Sequence, residues 1–218
     1  TVTLVIFGIG FMEGAMNNFL QSTAVISSGH VKVVTKAYEK ESSQLPNDLA
    51  LFEPNKIIQN LSDLYPNYFW TPRITFGGLL DTPNEDGETK EQGPVFGIGI
   101  DFHSKTSRQI EIWELEKYLL YGNFPKNTND ALISTKLAKQ LSVNVGSTVT
   151  LISTTMDNAF TTYNFEITGI FNLNKGQVDR QMMLVDISGA RQALGMEGAA
   201  SEILGYHQSL YYLSLIHI

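Results

Sequence analysis

One stretch of the sequence, DALISTKLAKQLSVNVGSTVTLIS at residues 130–153, constrains the local fold more tightly than any other. Leu132 and Ile133 predict a short strand, and Ser134 is placed to cap a helix that follows it. The inner face of that helix comprises Leu137, Ala138 and Leu141. Residues 144–146 then turn the chain into a second strand. A strand, a helix and a strand in such close order predict a mixed α+β domain.

Alternating apolar residues predict further strands on both sides of this stretch. HVKVVTKAY, at residues 30–38, begins with one strand. FWTPRITFGGLL and PVFGIGID predict two more, separated by the polar loop DTPNEDGETKEQG. MMLVD is a short strand near the end. Alternation at positions 149 and 151, and again at 163, 165 and 167, predicts paired antiparallel strands with one buried face.

Helical spacing predicts three further helices. The first begins at Pro54, where proline suits a first turn, and runs through Tyr65. IEIWELEKYLLYGNFP predicts a second helix that ends at Gly122. ISGARQALG predicts a third, with Asp186 or Ser188 as its cap and Gly195 at its end. The whole is a strand-rich α+β domain.

The opening segment is uncharged over residues 2–12. Its roughly 11 residues are too few to cross a bilayer, which needs about 20. The segment is therefore either a buried core element or the outer part of a transmembrane helix that begins before residue 1. Helical spacing continues through Met12, Met16, Phe19, Leu20, Thr23 and Ile26, which favours the second interpretation. We predict that residues 1–28 are the end of a transmembrane helix and an amphipathic stalk.

The charge balance argues against a nucleic-acid partner. The 218 residues include 15 basic and 22 acidic side chains, a formal net charge of −7, whereas nucleic-acid binding depends on a basic face. Only 17% of residues are charged, which suggests that the chain is not wholly a soluble domain. The absence of cysteine excludes thiol catalysis, thiolate zinc sites and disulfides.

Motifs for catalysis and for metal or nucleotide binding are missing from the sequence. The histidines are His30, His103, His207 and His217, and none has a partner at H-x-x-x-H or H-E-x-x-H spacing. There is no G-x-S-x-G elbow and no G-x-x-x-x-G-K-[ST] phosphate loop. We therefore expect no catalytic, cofactor-binding or metal-ligating residues, no cofactor, and no enzymatic activity.

Three groups of side chains leave alternatives open. The first group comprises the carboxyls Glu111, Glu114 and Glu116 beside Trp113. A buried carboxyl there could be a general acid, but a charged outer helix face is favoured. The second group comprises Tyr68, Phe69 and Trp70, which either line a ligand groove or pack in the core, and packing is favoured. The third group comprises Asp81, Glu85, Asp86 and Glu88, whose spacing favours a solvated hairpin tip over a calcium site.

The order of these pieces is similar to that of a known family. A helix leading to SGHVKV, then DALISTKLAKQLSVNVGSTVTLIS, YNFEITGIF and MMLVDISGARQALGM, resembles the periplasmic core region of FtsX-like ABC transporter permeases. This is the group of MacB, LolC and LolE. The resemblance spans residues 8–204 and is most specific at residues 132–171. One departure is that Gly122 is followed by Asn123, where the family usually has arginine.

The resemblance implies a division of the chain. Residues 1–28 would end the first transmembrane helix and its stalk, and residues 29–100 would form the first β-α-β unit of an extracytoplasmic domain. Residues 101–186 would be an inserted strand-rich subdomain, and residues 187–204 would return toward a second unit further along. Residues 205–218 fit none of these patterns and are interpreted as a non-native tail.

The resemblance also implies a function and its partners. The chain would be part of a permease subunit with four membrane helices, whose periplasmic domain couples cytoplasmic ATP hydrolysis to substrate release or export, of the lipoprotein-release or MacB type. The partners would be a separate cytoplasmic ATPase, a second permease subunit in a homo- or heterodimer, and a lipoprotein or other periplasmic protein. The location would be the inner membrane, with the main domain in the periplasm. The alternatives are a membrane-tethered periplasmic binding or scaffold module and a periplasmic enzyme.

Overall fold

The computed structural model describes residues 24–83, 89–104, 107–173 and 180–207. Most of the segment predicted to leave the membrane, and the chain beyond residue 207, lie outside these ranges. Within them, no helix is both long enough and apolar enough to cross a bilayer. The described part is a mixed α+β structure dominated by one large sheet, in agreement with the predicted class.

Strands make up most of the regular structure in the described residues. They are β1 (Val31–Val33), β2 (Leu51–Phe52), β3 (Tyr68–Pro83), β4 (Thr89–Ile100), β5 (Leu119–Gly122), β6 (Asp130–Ser134), β7 (Thr148–Thr154), β8 (Phe160–Phe171), β9 (Met182–Asp186), β10 (Ala199–Ala200) and β11 (Glu202–His207). The helices are α1 (Lys36–Glu41), α2 (Pro54–Leu64), α3 (Gln109–Ile112), α4 (Leu115–Tyr118), α5 (Thr135–Gln140) and α6 (Ile187–Leu194). A π-helical turn, Ala24–Ser28, precedes β1.

The longest strand, β3, belongs to two parts of the sheet. Its first part, residues 68–73, pairs antiparallel with β11, and β11 pairs with β1 on its other side. Its second part, from Ile74 to Pro83, forms a long hairpin with β4. The two parts of the sheet therefore share one continuous strand.

Six strands close into a ring. The pairs run β3–β4, β4–β9, β9–β6, β6–β8 and β8–β7, and β7 returns to β3 at residues 79–81. Two of these pairs, β4–β9 and β6–β8, are parallel. The ring takes strands from both predicted segments, 29–100 and 101–186, and the boundaries between those segments stay a prediction. The strands β11 and β1 extend from β3, and β5 extends from β8.

Three hydrophobic clusters hold these elements together. Every strand of the ring contributes to the largest cluster, which α5 and α6 also enter; it includes Ile74, Phe76, Ile133, Leu151, Phe165 and Val185. A second cluster contains Ile100, Trp113, Leu132, Leu184 and Tyr206. A third lies against α2 and is built on Leu51, Trp70 and Ile203. Fully burying one large apolar side chain stabilises a fold by about 1.5–3 kcal/mol. The three clusters together extend the core along the sheet.

The predicted helix caps are present. The Ser134 hydroxyl oxygen accepts a hydrogen bond from the Leu137 N–H at 3.2 Å, which starts α5. Of the two candidates for the cap of α6, Asp186 takes the position, and its Oδ1 accepts from the Ser188 N–H at 2.9 Å. Gly195 ends α6 with φ of 63°, a left-handed conformation that glycine adopts without strain. Local hydrogen bonding therefore sets the ends of both helices.

The helix predicted from IEIWELEKYLLYGNFP is wrong. The chain forms α3, then α4, then β5, and Glu114 between the two helices has φ of 52°. Trp113 and Leu115 explain the break, because both are 2% exposed and pack in the same cluster. Residues two apart on a continuous helix do not share a face, so a left-handed residue between them is needed to bury both.

Two further boundaries differ from prediction. The polar loop predicted at residues 81–93 is shorter, because β3 continues to Pro83 and β4 begins at Thr89. Across the hairpin, the Thr82 hydroxyl donates to the Glu91 carbonyl at 3.1 Å and accepts from the Glu91 N–H at 3.2 Å. The chain also stays in the fold past residue 204: β11 extends to His207, and Tyr206 is fully buried. Residues 205–207 therefore belong to the sheet, and the assignment of residues 205–218 to a non-native tail stays a prediction.

One glycine on β4 has a packing requirement. Gly97 lies directly opposite Phe76 in the β3–β4 pair. The Phe76 ring, which is 1% exposed, lies over Gly97, so that any Cβ there would collide with it. Gly77, the next residue on β3, differs: a Cβ there would meet only Leu45 Cδ1, at 3.8 Å.

We predict that Gly97→Ala lowers the free energy of unfolding by about 1–3 kcal/mol, because the Phe76 ring must leave its position in a packed core. Gly77→Ala is the matched control and is expected to be neutral or slightly stabilising. Urea titration followed by circular dichroism measures both variants. Equal stability of the two alanine variants would contradict this account of the core.

Candidate functional site

The N-terminal segment meets the sheet at β11. We call Ala24–Ser28 the entry turn and residues 29–207 the head. Gly29 follows the entry turn with φ of 62°, which glycine tolerates, and a Cβ there would lie 3.1 Å from the Gly205 carbonyl oxygen. The His30 N–H donates to that same carbonyl at 2.9 Å. The chain therefore enters the head in direct contact with one of its inner strands.

A buried arginine holds the entry turn in place. Arg73 on β3 and Glu202 on β11 lie directly opposite each other, and each side chain is 3% exposed. Arg73 Nε and Nη2 lie 3.2 and 2.9 Å from Glu202 Oε1. Arg73 Nη1 also donates to the Ile26 carbonyl at 2.6 Å, and Nη2 donates to the Ser27 carbonyl at 2.5 Å. We call this set of bonds the arginine clamp.

A second cation balances the clamp. Lys32 Nζ, on β1, lies 2.8 Å from the other oxygen of Glu202, Oε2. The carboxylate thus lies between an ammonium and a guanidinium. Two positive groups against one carboxylate leave the cluster with a net positive charge. The last carbonyls of a helical segment carry partial negative charge, so the ends of the entry turn at Ile26 and Ser27 are attracted to the guanidinium.

Aromatic and imidazole rings continue inward from the entry turn. The His30 Nδ1 accepts a hydrogen bond from the His207 N–H at 3.2 Å, and its ring meets Tyr206 edge-on at 6.2 Å between centroids. The Trp113 indole N–H donates to the Tyr206 hydroxyl at 3.1 Å. Burial raises the pKa of Tyr206, so this hydroxyl stays neutral and can accept that bond. Packed groups thus connect residue 30 with the turn between α3 and α4.

A separate buried network ties the segment after α1 to the same two strands. The Thr75 N–H donates to Ser201 Oγ at 3.0 Å, and Ser201 Oγ donates to Asn47 Oδ1 at 2.6 Å. Asn47 Nδ2 returns to the Thr75 carbonyl at 3.0 Å. The Tyr38 hydroxyl lies 2.9 Å from Thr75 Oγ1, and burial raises its pKa. Both networks use β3 together with β11 or the residue that precedes it, Ser201, so side-chain bonds reinforce the backbone pairing of these two strands.

A cleft of about 560 Å³ opens beyond the ends of the parallel strands β4 and β9. Asp101, His103, Asp186, Ser188 and Arg191 contribute to its wall. The carboxylate of Asp186 accepts from the Ser188 N–H and hydroxyl and from the Phe102 N–H at 3.1 Å, and it lies 3.6 Å from His103 Nε2.

This grouping does not form a catalytic triad. Ser188 and His103 both contact the Asp186 carboxylate, and a triad requires the nucleophile to contact the imidazole. Arg191 Nε donates to the Ala199 carbonyl at 3.2 Å, and burial lowers the pKa of the guanidinium. In the described ranges, no group of three or more histidine, aspartate or glutamate side chains could hold a metal ion. The two carboxylates of the cleft have structural partners: Asp186 caps α6, and Asp101 Oδ1 accepts from the His103 and Ser104 N–H groups.

The carboxyls considered as general acids lie at the surface. Glu111 pairs with Arg108 and Glu114 pairs with Lys117, and both carboxyls are exposed. Glu116 is exposed as well. Trp113 is buried, and its indole bonds to Tyr206 rather than to a carboxyl. The favoured exposure of these carboxyls is therefore confirmed, although they do not lie on one continuous helix.

The other predicted candidates fall in different places. Trp70, 8% exposed, packs with Leu51 and Ile203, stacks on Tyr68 at 5.4 Å between centroids and also forms part of the cleft wall. Trp70 therefore packs, as favoured, and also lines a cleft, so the two interpretations are not exclusive. The histidines His30, His103 and His207 are dispersed except for the contact between His30 and the residue 207 backbone. Of the acidic group, Glu85, Asp86 and Glu88 lie outside the described residues, as does His217.

The residues of the arginine clamp were missed in the sequence. Their signal was present: Arg73 interrupts the apolar run FWTPRITFGGLL, and Glu202 stands between small and apolar residues in AASEILGY. A lone charge inside a buried strand needs an opposite charge nearby, because a buried unpaired ion is strongly unfavourable. Two such charges of opposite sign, one in each apolar strand, predict a buried pair.

Comparison with known proteins identifies the architecture. The fold is similar to the crystal structure of the periplasmic region of MacB from Actinobacillus actinomycetemcomitans, with a TM-score of 0.50. The two sequences are 13% identical over 85% of this chain and 74% of that chain. No protein-family model matches the sequence, and no curated protein matches it. The head therefore has a fold similar to that of the periplasmic region of MacB.

We predict that Arg73→Met lowers the free energy of unfolding by about 3–5 kcal/mol, because it leaves the buried Glu202 carboxylate with one cation and frees two carbonyls. The double variant Arg73→Met/Glu202→Leu should recover part of the loss, because no buried charge is then left unpaired. Arg108→Met is the control, since its pair with Glu111 is exposed and is expected to contribute little. Urea titration measures all three. A loss in Arg73→Met no greater than in Arg108→Met would contradict a buried clamp.

The stability of the head should also depend on the protonation of His30. Burial, and then the nearby His207, lower the pKa of His30 below its ordinary 6.5, and its Nδ1 accepts a hydrogen bond only when it is unprotonated. The unfolded chain therefore binds a proton first as the pH falls. Unprotonated His30 therefore adds to the free energy of unfolding in full above pH 6.5. This stabilisation is lost as the pH falls from 6.5 through the lowered pKa.

Thermal melts of the wild type and of His30→Gln between pH 7.5 and pH 5 test this dependence. The difference between the two melting temperatures should change across this range, because only the wild type loses the His30 contribution. A constant difference would contradict the assignment.

Proposed function

We propose that this chain is the head and adjoining helix of an FtsX-like ABC transporter permease subunit of the MacB or lipoprotein-release type. The head would pass movement of a membrane helix to an extracytoplasmic substrate. The observation that carries the proposal is the position of the arginine clamp. It lies where the N-terminal segment meets a fold similar to the periplasmic region of MacB.

The clamp supplies a physical route for movement. The Arg73 guanidinium bonds to two successive carbonyls of the entry turn and to the carboxylate on β11. A pull or push along the N-terminal segment therefore acts on β3 and β11 together. Because β3 continues into the ring, the load reaches the core of the head without passing through a flexible loop. Packed elements of this kind tend to switch between discrete arrangements rather than deform gradually.

The proposal includes partners and a location. A cytoplasmic ATPase subunit would drive the movement, and a second permease subunit, identical or different, would complete the membrane part. A lipoprotein or another periplasmic protein would be the substrate or accessory partner. The chain would lie in the inner membrane with its head in the periplasm. No acid, base or nucleophile is required for such a role, and we propose that the chain is not itself an enzyme.

A second candidate is a periplasmic binding or scaffold module tethered by one membrane helix. The cleft of about 560 Å³ beside Asp101 and Arg191 favours it, because its size suits a small ligand. This alternative requires no ATPase partner and no nucleotide-dependent movement, whereas the permease requires both. The response to nucleotide therefore separates the two.

The test uses the full-length membrane protein, produced with its neighbouring genes and purified in lipid nanodiscs. The 218 residues contain no cysteine, and any cysteine elsewhere in the full-length protein is first replaced by serine, so that a single cysteine at exposed Asn158 carries the spin label of each subunit. We predict copurification of an ATPase and a label-to-label distance, across the subunit pair, that differs between nucleotide-free and ATP-bound states. Arg73→Gln should abolish that difference and keep the ATPase bound, whereas Arg108→Gln should retain it.

The contrary results are equally definite. The tethered module would be favoured if no ATPase copurified with the full-length protein. It would also be favoured if the label-to-label distance were the same in the nucleotide-free and ATP-bound states. A nucleotide-dependent distance that survives Arg73→Gln would leave the permease assignment standing and would remove the clamp from its mechanism.

A further inference from the structure

We propose that the outer edge of the sheet at β5 is a docking site for a partner protein segment that presents an apolar side chain with a carboxylate beside it. The site is a groove of about 620 Å³ between β5, the end of α5 and the turn that follows. We call it the edge groove, and its main wall residues are Tyr121, Ala138, Lys139, Val143, Val145 and Ile170. This inference does not depend on the proposed transport function.

The groove exists because α5 is too short to cover the sheet. Tyr121 on β5 and Ile170 on β8 are directly opposite each other, so their side chains share one face of the sheet. The helix α5 has six residues and a length of about 9 Å, and it covers the inner strands of that face. Ile170 is 8% exposed, whereas Tyr121 at the margin is 65% exposed. The apolar face therefore continues past the helix that covers it.

The exposed side chains at this edge are of the type that anchors protein interfaces. Tyr121 on β5 is 65% exposed, and Val145 on the adjoining turn is 43% exposed. Exposed apolar groups gathered around a concave surface mark an interaction site more often than single ones do. Tyrosine is enriched at the centres of interfaces because it combines a large apolar ring with a polar end.

The strand β5 is not a good template for adding a further strand. It has four residues, and its pairing with β8 is irregular between Leu119 and Tyr121. Short and irregular edge strands hinder backbone pairing with another chain. Recognition at this edge would therefore be made by side chains in the groove rather than by a new strand of the sheet.

Charge determines the chemistry of the partner. None of the residues that line the edge groove is acidic, although the whole chain carries 22 acidic against 15 basic residues. Lys139 is the one charged side chain in the lining, and within the described residues it has no ion-pair partner. An apolar groove with one unpaired ammonium at its wall complements an apolar side chain with a carboxylate beside it. Complementary charge of this kind mainly sets specificity and the rate of association.

The strand β8 provides an internal control. Phe160 begins this strand and is 74% exposed, so it is an exposed aromatic residue like Tyr121. Ten residues separate Phe160 from Ile170, the partner of Tyr121, which corresponds to about 33 Å along the strand. A probe at Phe160 therefore samples the same protein, the same solvent and a similar exposure, but not the edge groove.

The experiment is site-specific photocrosslinking of the full-length protein in the cells that produce it. The photoreactive residue p-benzoylphenylalanine replaces Tyr121 or Val145 in the edge groove, or Phe160 as the control. We expect an adduct with a different protein at both groove positions and at least about tenfold less at Phe160. Lys139→Glu should reduce the adduct by about tenfold, whereas Lys126→Glu, at an exposed lysine outside the groove, should not.

Mass spectrometry of the adduct identifies the crosslinked segment, and a charge exchange then decides the proposal. Replacement of a carboxylate in that segment by lysine should restore the adduct to the Lys139→Glu variant.

Three results would overturn the proposal. They are adducts as strong at Phe160 as at Tyr121, an adduct that is indifferent to Lys139→Glu, and an adduct formed only with a second copy of this chain. The last result would instead make the edge groove a contact between copies. Thermal melts of each variant exclude loss of folding as the cause.

Discussion

The pairing of Arg73 with Glu202 is the interaction on which the rest of the structure depends. It joins β3 to β11 inside the sheet, and the same guanidinium holds the end of the N-terminal segment. A buried ion pair is not in itself evidence of high stability, because removing two charges from water costs about as much as their attraction returns. Its value here is geometric: a planar group with several donors in fixed directions can hold three partners in one arrangement.

The long strand β3 connects this arrangement to the closed ring of strands. One half of the strand carries Arg73 beside β11, and the other half is a member of the closed ring. The polar network around Thr75 lies at the junction between the halves and binds them to the segment after α1. The parts of the head that contact the N-terminal segment are thus covalently continuous with its main core, which is what a proposed transmitter of movement requires.

Local features of the fold could be predicted from the sequence, and long-range ones could not. Ser134, Asp186 and Gly195 act within one turn of their own helix, so their roles follow from residue type and position. The closure of the ring and the contact between Arg73 and Glu202, 129 residues apart, depend on tertiary packing that no local pattern contains. The break at Glu114 was missed for a similar reason, since only the shared burial of its two neighbours requires it. The residues that hold the entry turn against the sheet could not be found from local patterns for the same reason.

The neighbouring positions of β1 and β11 have a consequence for how such a head can diversify. The chain enters through one of these strands and reaches the other only after all the intervening elements are complete. The described head therefore begins and ends on two paired strands. An insertion in a loop remote from this pair would leave the place where the chain enters the sheet unchanged.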